Sequence, residues 1–309
     1  MPYKQTDDLE DVHVPRYVKV FLGGIAGMMA TTLVQPFDVV KVRMQVYEKP
    51  ITTIRMGTQI VKCEGFKALY AGLTAGLLRQ ATYTTTRLSC YNWLYAEFKR
   101  KHAKDPELRH TIIIGIYAGL AGAFVGNPAE VLLVRLMADG PKKPCDPNYA
   151  GKQYKGIIDA ICKVIKEEGV SGLWRGGSLT LIRSIFVSTA QIGTYSKVRQ
   201  AFREQNIGKG IQMHFYTSVI TSFLVAVVSL PVDVVKTLYQ VKRELKRTQS
   251  QIIRDLIKDN GIGHFWQGFL PYFLRLTFHT FVTFYLLEKM NKHCRNYLQQ
   301  QKNIQERKR

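Results

Sequence analysis

Residues 36–45 read PFDVVKVRMQ. A proline is followed two residues later by an acid and five later by a lysine. The frame returns as PAEVLLVRLM at 128–137 and as PVDVVKTLYQ at 231–240, so it recurs about every 100 residues. Each copy ends an apolar run rich in small residues: FLGGIAGMMATTLVQ (21–35), IIIGIYAGLAGAFVGN (112–127) and YTSVITSFLVAVVSL (216–230). A second mark follows in every third, EGFKALYAG (64–72), EGVSGLWRG (168–176) and NGIGHFWQG (260–268). Two ordered marks in triplicate exclude coincidence and define three homologous units.

Each unit predicts a long apolar helix, a proline kink, a basic loop, a short amphipathic helix, a glycine turn and a second long helix. The first helices are expected near 17–44, 110–138 and 211–242, the second near 74–100, 178–202 and 271–295. The units are bounded at 16–105, 106–207 and 208–297, with an N-terminal tail at 1–15 and a basic C-terminal tail at 298–309. Spacings such as Gly23/Gly27, Gly115/Gly119 and Gly122/Gly126 suit close helix contacts in lipid. A soluble helical solenoid is disfavoured, because such repeats are shorter and seldom need long uncharged runs. The fold class is therefore an all-α membrane protein: six transmembrane helices in three pseudo-threefold repeats around a central cavity, with both termini on one side. A mean hydropathy of −0.10 fits this only if polar faces line water inside the bundle.

The 309 residues carry a formal charge of +21, which demands an anionic partner. Nucleic acid is argued against, because no helix-turn-helix, finger or RNP pattern appears and the basic residues flank apolar spans. Enzyme chemistry is argued against by the lack of a Gly-rich phosphate loop, GxSxG or HExxH. Five scattered cysteines without a CxxC pair predict neither a disulfide framework nor a metal site, and no cofactor is expected.

Fourteen residues past Gly65, Gly169 and Gly261 stand Arg79, Arg183 and Arg275. Equivalent positions in a threefold bundle share one depth, so these arginines form a ring inside the membrane. Intramembrane arginine costs ~2.5–3.5 kcal/mol on insertion scales and marks a functional site. Its planar fork grips carboxylates bidentately. One and two turns on, the symmetry breaks: Tyr83 corresponds to Val187 and His279, and Arg87 to Gln191 and Thr283. The asymmetric positions suit recognition of an asymmetric solute. His279 reads as a packing or cavity-wall residue. The Arg79–Arg87 separation is about 12 Å of helix rise.

The Px[DE]xx[KR] and [DE]Gxxxx[aromatic][KR]G marks in triplicate resemble those of the mitochondrial carrier family, over about residues 16–297. That resemblance implies an inner mitochondrial membrane antiporter working by alternating access, with both termini facing the intermembrane space. Pro36, Pro128 and Pro231 would kink the odd helices. Carried over, the matrix gate comprises Asp38, Lys41, Glu130, Asp233 and Lys236, paired as Glu130–Lys236 and Asp233–Lys41. Asp38 would face Leu133, leaving one contact absent. Gln45 and Gln240 match the family's glutamine braces, with Met137 in the third place. The cytosolic gate has decayed to YNWLY, YSKVR and LEKMN, leaving Asn92, Arg199 and Glu288. AGLLRQATYTTTRL (75–88), FVGNPAEVLLVRLMADG (124–140) and FHTFVTFYLLEKMNK (278–292) resemble members that exchange 2-oxoglutarate for malate. The substrate-binding set on that resemblance is Arg79, Tyr83, Arg87, Arg183 and Arg275. Phosphate-type exchange and an uncoupling-type proton or anion leak are alternatives of the same fold. The resemblance also implies cardiolipin at the turns near Gly72, Gly176 and Gly268, and function as a monomer. Departures are Asn127, Leu238, the pair Thr277-Phe278, and the missing basic residues at Ala71 and Gln267.

Overall fold

A computed structural model describes residues 16–47, 51–140, 154–204, 211–241 and 248–307. The first repeat holds α1 (Arg16–Val46), the short α2 (Thr53–Glu64), a 3-10 turn (Phe66–Tyr70) and α3 (Leu73–Arg79). α3 passes through a π-helical turn (Gln80–Thr84) into α4 (Thr85–His102) without a break. The second holds α5 (Leu108–Ala138), α6 (Ile157–Glu168), a 3-10 turn (Val170–Trp174) and α7 (Gly177–Glu204). The third holds α8 (Ile211–Val241), α9 (Gln249–Asn260), a 3-10 turn (Ile262–Trp266) and α10 (Phe269–Arg307). Every regular element among the described residues is helical.

The long helices close into a ring in chain order, α10 returning to pack on α1. Pro36, Pro128 and Pro231 sit inside α1, α5 and α8, each of which continues beyond its proline. The short helices bury one face each, at Met56 and Ile60, Ala160 and Val164, and Ile252 and Leu256. These pairs stand four apart, which is the spacing that puts two side chains on one helix face. α10 outruns the helix expected to end near 295, because YLQQQKNIQER (297–307) contains good helix formers and neither glycine nor proline.

The glycine turns fix how the repeats join. Gly72, Gly176 and Gly268 adopt φ of 74°, 76° and 84°, a region only glycine enters without strain. A Cβ at Gly72 would meet Leu133 and Leu136 of α5, at Gly176 Tyr239 and Gln240 of α8, and at Gly268 Lys41 and Gln45 of α1. Each repeat thus seats its second glycine on the first helix of the next.

Two of the long helices, α5 and the Phe215–Val241 part of α8, are apolar enough by composition to cross a membrane, at mean hydropathies of 1.6 and 2.1. The bundle is also turned inside out. Leu33, Tyr117, Phe124 and Phe223 point outward and are exposed, while Asp38, Lys41, Asp233 and Lys236 are buried. The expectation of no disulfide is corrected at Cys63, which is disulfide-bonded, whereas Cys90, Cys162 and Cys294 are free thiols. Spacing along the chain detects only neighbouring pairs, and a fold can join distant ones.

Candidate functional site

A central pocket near the short-helix end is lined by Arg79, Arg183 and Arg275, by Lys41 and Lys236, and by Asp38, Glu130 and Asp233. Its depth follows from the glycine turns. Arg79 stands seven residues, about 10 Å of rise, beyond the turn at Gly72, which seats beside Leu133. The acids stand three residues, about 5 Å, from the level of Leu133 and its equivalents. The gap of roughly one turn is within reach of an arginine side chain. The ring and the acids therefore form one cluster.

Lys41 Nζ lies 2.7 Å from Asp233 Oδ2, joining α1 to α8. Lys236 Nζ lies 2.5 Å from Glu130 Oε1, joining α8 to α5. Where symmetry calls for a third lysine stands Leu133, so the third contact between odd helices is absent as expected, and Asp38 finds another partner. Its Oδ1 lies 2.6 Å from Arg275 Nε of α10. A buried carboxylate without a cation is costly, so Asp38 takes the guanidinium one turn up. Arg183 pairs with Asp233 and stands 3.6 Å from Glu130. Two ring arginines are thus held by acids. The Arg79 guanidinium makes no ion pair or hydrogen bond among the described residues.

Tyr272, fully buried on α10, was not anticipated. Its ring lies 3.5 Å below Lys41 Nζ, and its hydroxyl accepts from Arg183 Nη2 at 3.3 Å and shares a 3.0 Å hydrogen bond with Ser229 Oγ. The equivalent positions are Gly76 and Thr180, so only comparison across repeats would have exposed it.

The brace role expected of Gln45 and Gln240 is corrected. Gln45 Oε1 accepts from Thr237 Oγ1 at 2.8 Å, and Gln240 Nε2 donates to the Arg175 carbonyl at 3.3 Å. Arg43 and Arg135, seven residues past the first two prolines, act as clamps instead. Each forks onto a glutamate, Glu64 and Glu168, and donates Nε to the Met137 and Gln240 carbonyls at 3.1 and 3.2 Å. The third repeat has Leu238 and Asn260 there, so both halves of the clamp are replaced together.

Tyr83 packs against Gly122 and Gly126 of α5. Its hydroxyl accepts from Arg87 Nη1 at 3.3 Å, and Arg87 Nη2 donates to Gln191 Oε1 of α7 at 3.4 Å. Arg87 and Tyr83 stand off the charge cluster, toward the opposite end. His279 Nε2 lies 3.5 Å from Thr31 Oγ1 of α1. At that opposite end Asn92 and Glu288 are exposed, and neither makes a hydrogen bond or ion pair among the described residues. The side chain of Arg199, expected opposite Asn92, lies outside the described residues.

The family model described as "Mitochondrial carrier protein" matches residues 13–102, 104–206 and 209–298. The chain is 40% identical over 290 residues to the mitochondrial 2-oxoglutarate/malate carrier protein of Mus musculus, covering 90% of this chain and 91% of that one. It is 40% identical over 289 residues to the same-named protein of Caenorhabditis elegans, at 90% and 93% coverage. Mitochondrial uncoupling protein 5 of Arabidopsis thaliana is 33% identical over 307 residues, at 89% and 97% coverage.

Proposed function

Because the chain belongs to the mitochondrial carrier family, we propose that it exchanges 2-oxoglutarate for malate or related dicarboxylates across the mitochondrial inner membrane. The observation that carries this reading is the charge of the central cluster. Five cations face three carboxylates in one pocket, an excess of two positive charges. A dicarboxylate dianion balances it.

The proposed mechanism follows from that balance. A dianion meets the unpaired Arg79 first, and its carboxylates then compete with Asp233 and Asp38 for Arg183 and Arg275. Drawing Arg183 from Asp233 and Arg275 from Asp38 unfastens α7 and α10 from the ring of acids, because each guanidinium ties its own helix to an acid on another. Buried ion pairs are weak net stabilisers, so a modest change in partners opens them. Binding must favour the opening state differentially to shift it, and the exchange of partners supplies that difference. An empty cluster carries its excess charge into any occluded state, which disfavours return without a counter-substrate. Exchange rather than one-way transport results.

In this reading all six long helices span the membrane, the short helices face the matrix and both termini face the intermembrane space. Asp38, Lys41, Glu130, Asp233 and Lys236 act as the matrix gate, and Asn92, Arg199 and Glu288 flank the open side. Tyr83 and Arg87, without counterparts in the other repeats, select the solute. Cardiolipin is the expected lipid at the turns of Gly72, Gly176 and Gly268, and closure of the helix ring within one chain supports a monomer.

The test is uptake of labelled 2-oxoglutarate into proteoliposomes, empty or preloaded with malate, over a panel of di- and tricarboxylates and phosphate. Uptake only into dicarboxylate-loaded vesicles is expected. Proton conductance without solute exchange would replace this reading with the uncoupling type.

A further inference from the structure

Among the described residues, the π-helical turn at Gln80–Thr84 is the one departure from α-helical register within a long helix. Its equivalents in α7 and α10 have none, although the three helices share a ring arginine. The turn lies between Arg79 and Arg87, the stretch where the repeats cease to match.

Its geometric consequence is definite. In an unbroken α-helix, residues eight apart are turned about 80° from one another. The extra residue taken up by a π turn makes those eight residues behave as a heptad, which drifts by only about 20°. Arg79, Tyr83 and Arg87 thereby fall on one stripe. Their rise shortens from about 12 Å to about 10.5 Å.

Neighbours hold the turn from two sides. Gln80 is buried and lies across Gly27 of α1, leaving no room for a Cβ there. A Cβ at Gly122 of α5 would stand 3.0 Å from the Tyr83 carbonyl oxygen, and one at Gly126 would stand 3.0 Å from Tyr83 Cβ. Thr82 Oγ1 donates to the carbonyls of Leu78 at 2.9 Å and Arg79 at 3.3 Å, where the hydrogen-bond register changes.

We infer that this π turn is a register device that sets which dicarboxylate the carrier prefers, and that Thr82 is a positioning residue for it. Thr82 acts through Arg79, Tyr83 and Arg87, whose alignment sets how the selecting pair Tyr83 and Arg87 stands toward a solute held at Arg79. Its hydroxyl occupies carbonyls that otherwise seek backbone N–H partners in ordinary α-helical register. The inference rests on the dicarboxylate exchange proposed above and names the element that tunes it.

The experiment compares KM for malate and for 2-oxoglutarate in proteoliposomes containing wild type, Thr82→Val and Thr82→Ser. Valine keeps the shape and removes the hydroxyl, while serine keeps the hydroxyl. Thr82→Val is expected to change the ratio of the two KM values about fivefold, with maximal rates held within about twofold, and Thr82→Ser to restore the wild-type ratio. A second variant, Gly126→Ala, presses on Tyr83 from α5 and is expected to move the same ratio should Thr82→Val insert poorly. A wild-type ratio in both Thr82→Val and Gly126→Ala, with exchange intact, overturns this inference and leaves the proposed function standing. A wild-type protein that exchanges no dicarboxylate overturns both.

Discussion

At the short-helix end, Lys41 and Lys236 reach Asp233 and Glu130 across helix boundaries, and three arginines share the same carboxylates' surroundings. At the opposite end, the threefold positions carry Asn92, Ser196 and Glu288, and Asn92 and Glu288 stand exposed without hydrogen-bond or ion-pair partners among the described residues. Both ends descend from one repeated unit, so the difference is a matter of side chains rather than backbone. One end is latched by charge, and the other shows no such latch at Asn92 or Glu288 among the described residues. In an alternating-access carrier the latched end sets the barrier, and the solute must loosen it.

Removing the shared acid should break the comparison most severely. Asp233→Asn leaves Lys41 and Arg183 facing each other without their common partner. Stranding buried charges costs about 3–5 kcal/mol, so a marked fall in the melting temperature of the detergent-solubilised protein is expected, together with loss of exchange. A variant that melts and exchanges like wild type would show that the latch is not held at Asp233.

Completing the latch should sharpen the contrast. Leu133→Lys offers Asp38 the missing partner and releases Arg275 to the solute. An added pair worth about 1 kcal/mol slows opening roughly fivefold. The maximal exchange rate is expected to fall by that factor while KM falls or holds. An unchanged maximal rate would mean that the third position contributes nothing to the barrier.

Building a latch at the other end should matter least. Asn92→Asp places an acid at an exposed position of the proposed cytosolic gate, where an exposed pair is worth only about 0–1 kcal/mol and is screened by salt. A reduction in exchange of a few-fold at most, relieved at high ionic strength, is expected from initial rates in proteoliposomes. A slowing larger than that of Leu133→Lys would reverse the ranking of the two ends.

The repeat, the six long helices and the three arginines were legible because they recur at fixed offsets, and recurrence survives without coordinates. The Lys41–Asp233 and Lys236–Glu130 partners were legible through the family resemblance, which has each acid face the following odd helix. What the pattern hid was reach. Nothing in the offsets says that Arg183 and Arg275 extend a turn to the acids, or that Asp38, deprived of a lysine at 133, takes Arg275. Tyr272 escaped notice because it breaks the symmetry that guided the reading. The π turn is written in QATYT without glycine or proline to announce it, being fixed by Gln80 on α1 and Tyr83 on α5.

The central claim is that a dicarboxylate takes ring arginines from the latch acids and so drives exchange. The most direct measurement is malate-dependent uptake of labelled 2-oxoglutarate by Arg183→Ala and Arg275→Ala in preloaded liposomes, with insertion checked by protease protection. Loss of exchange in both variants, with insertion intact, is the predicted result. Wild-type exchange rates in either would contradict it.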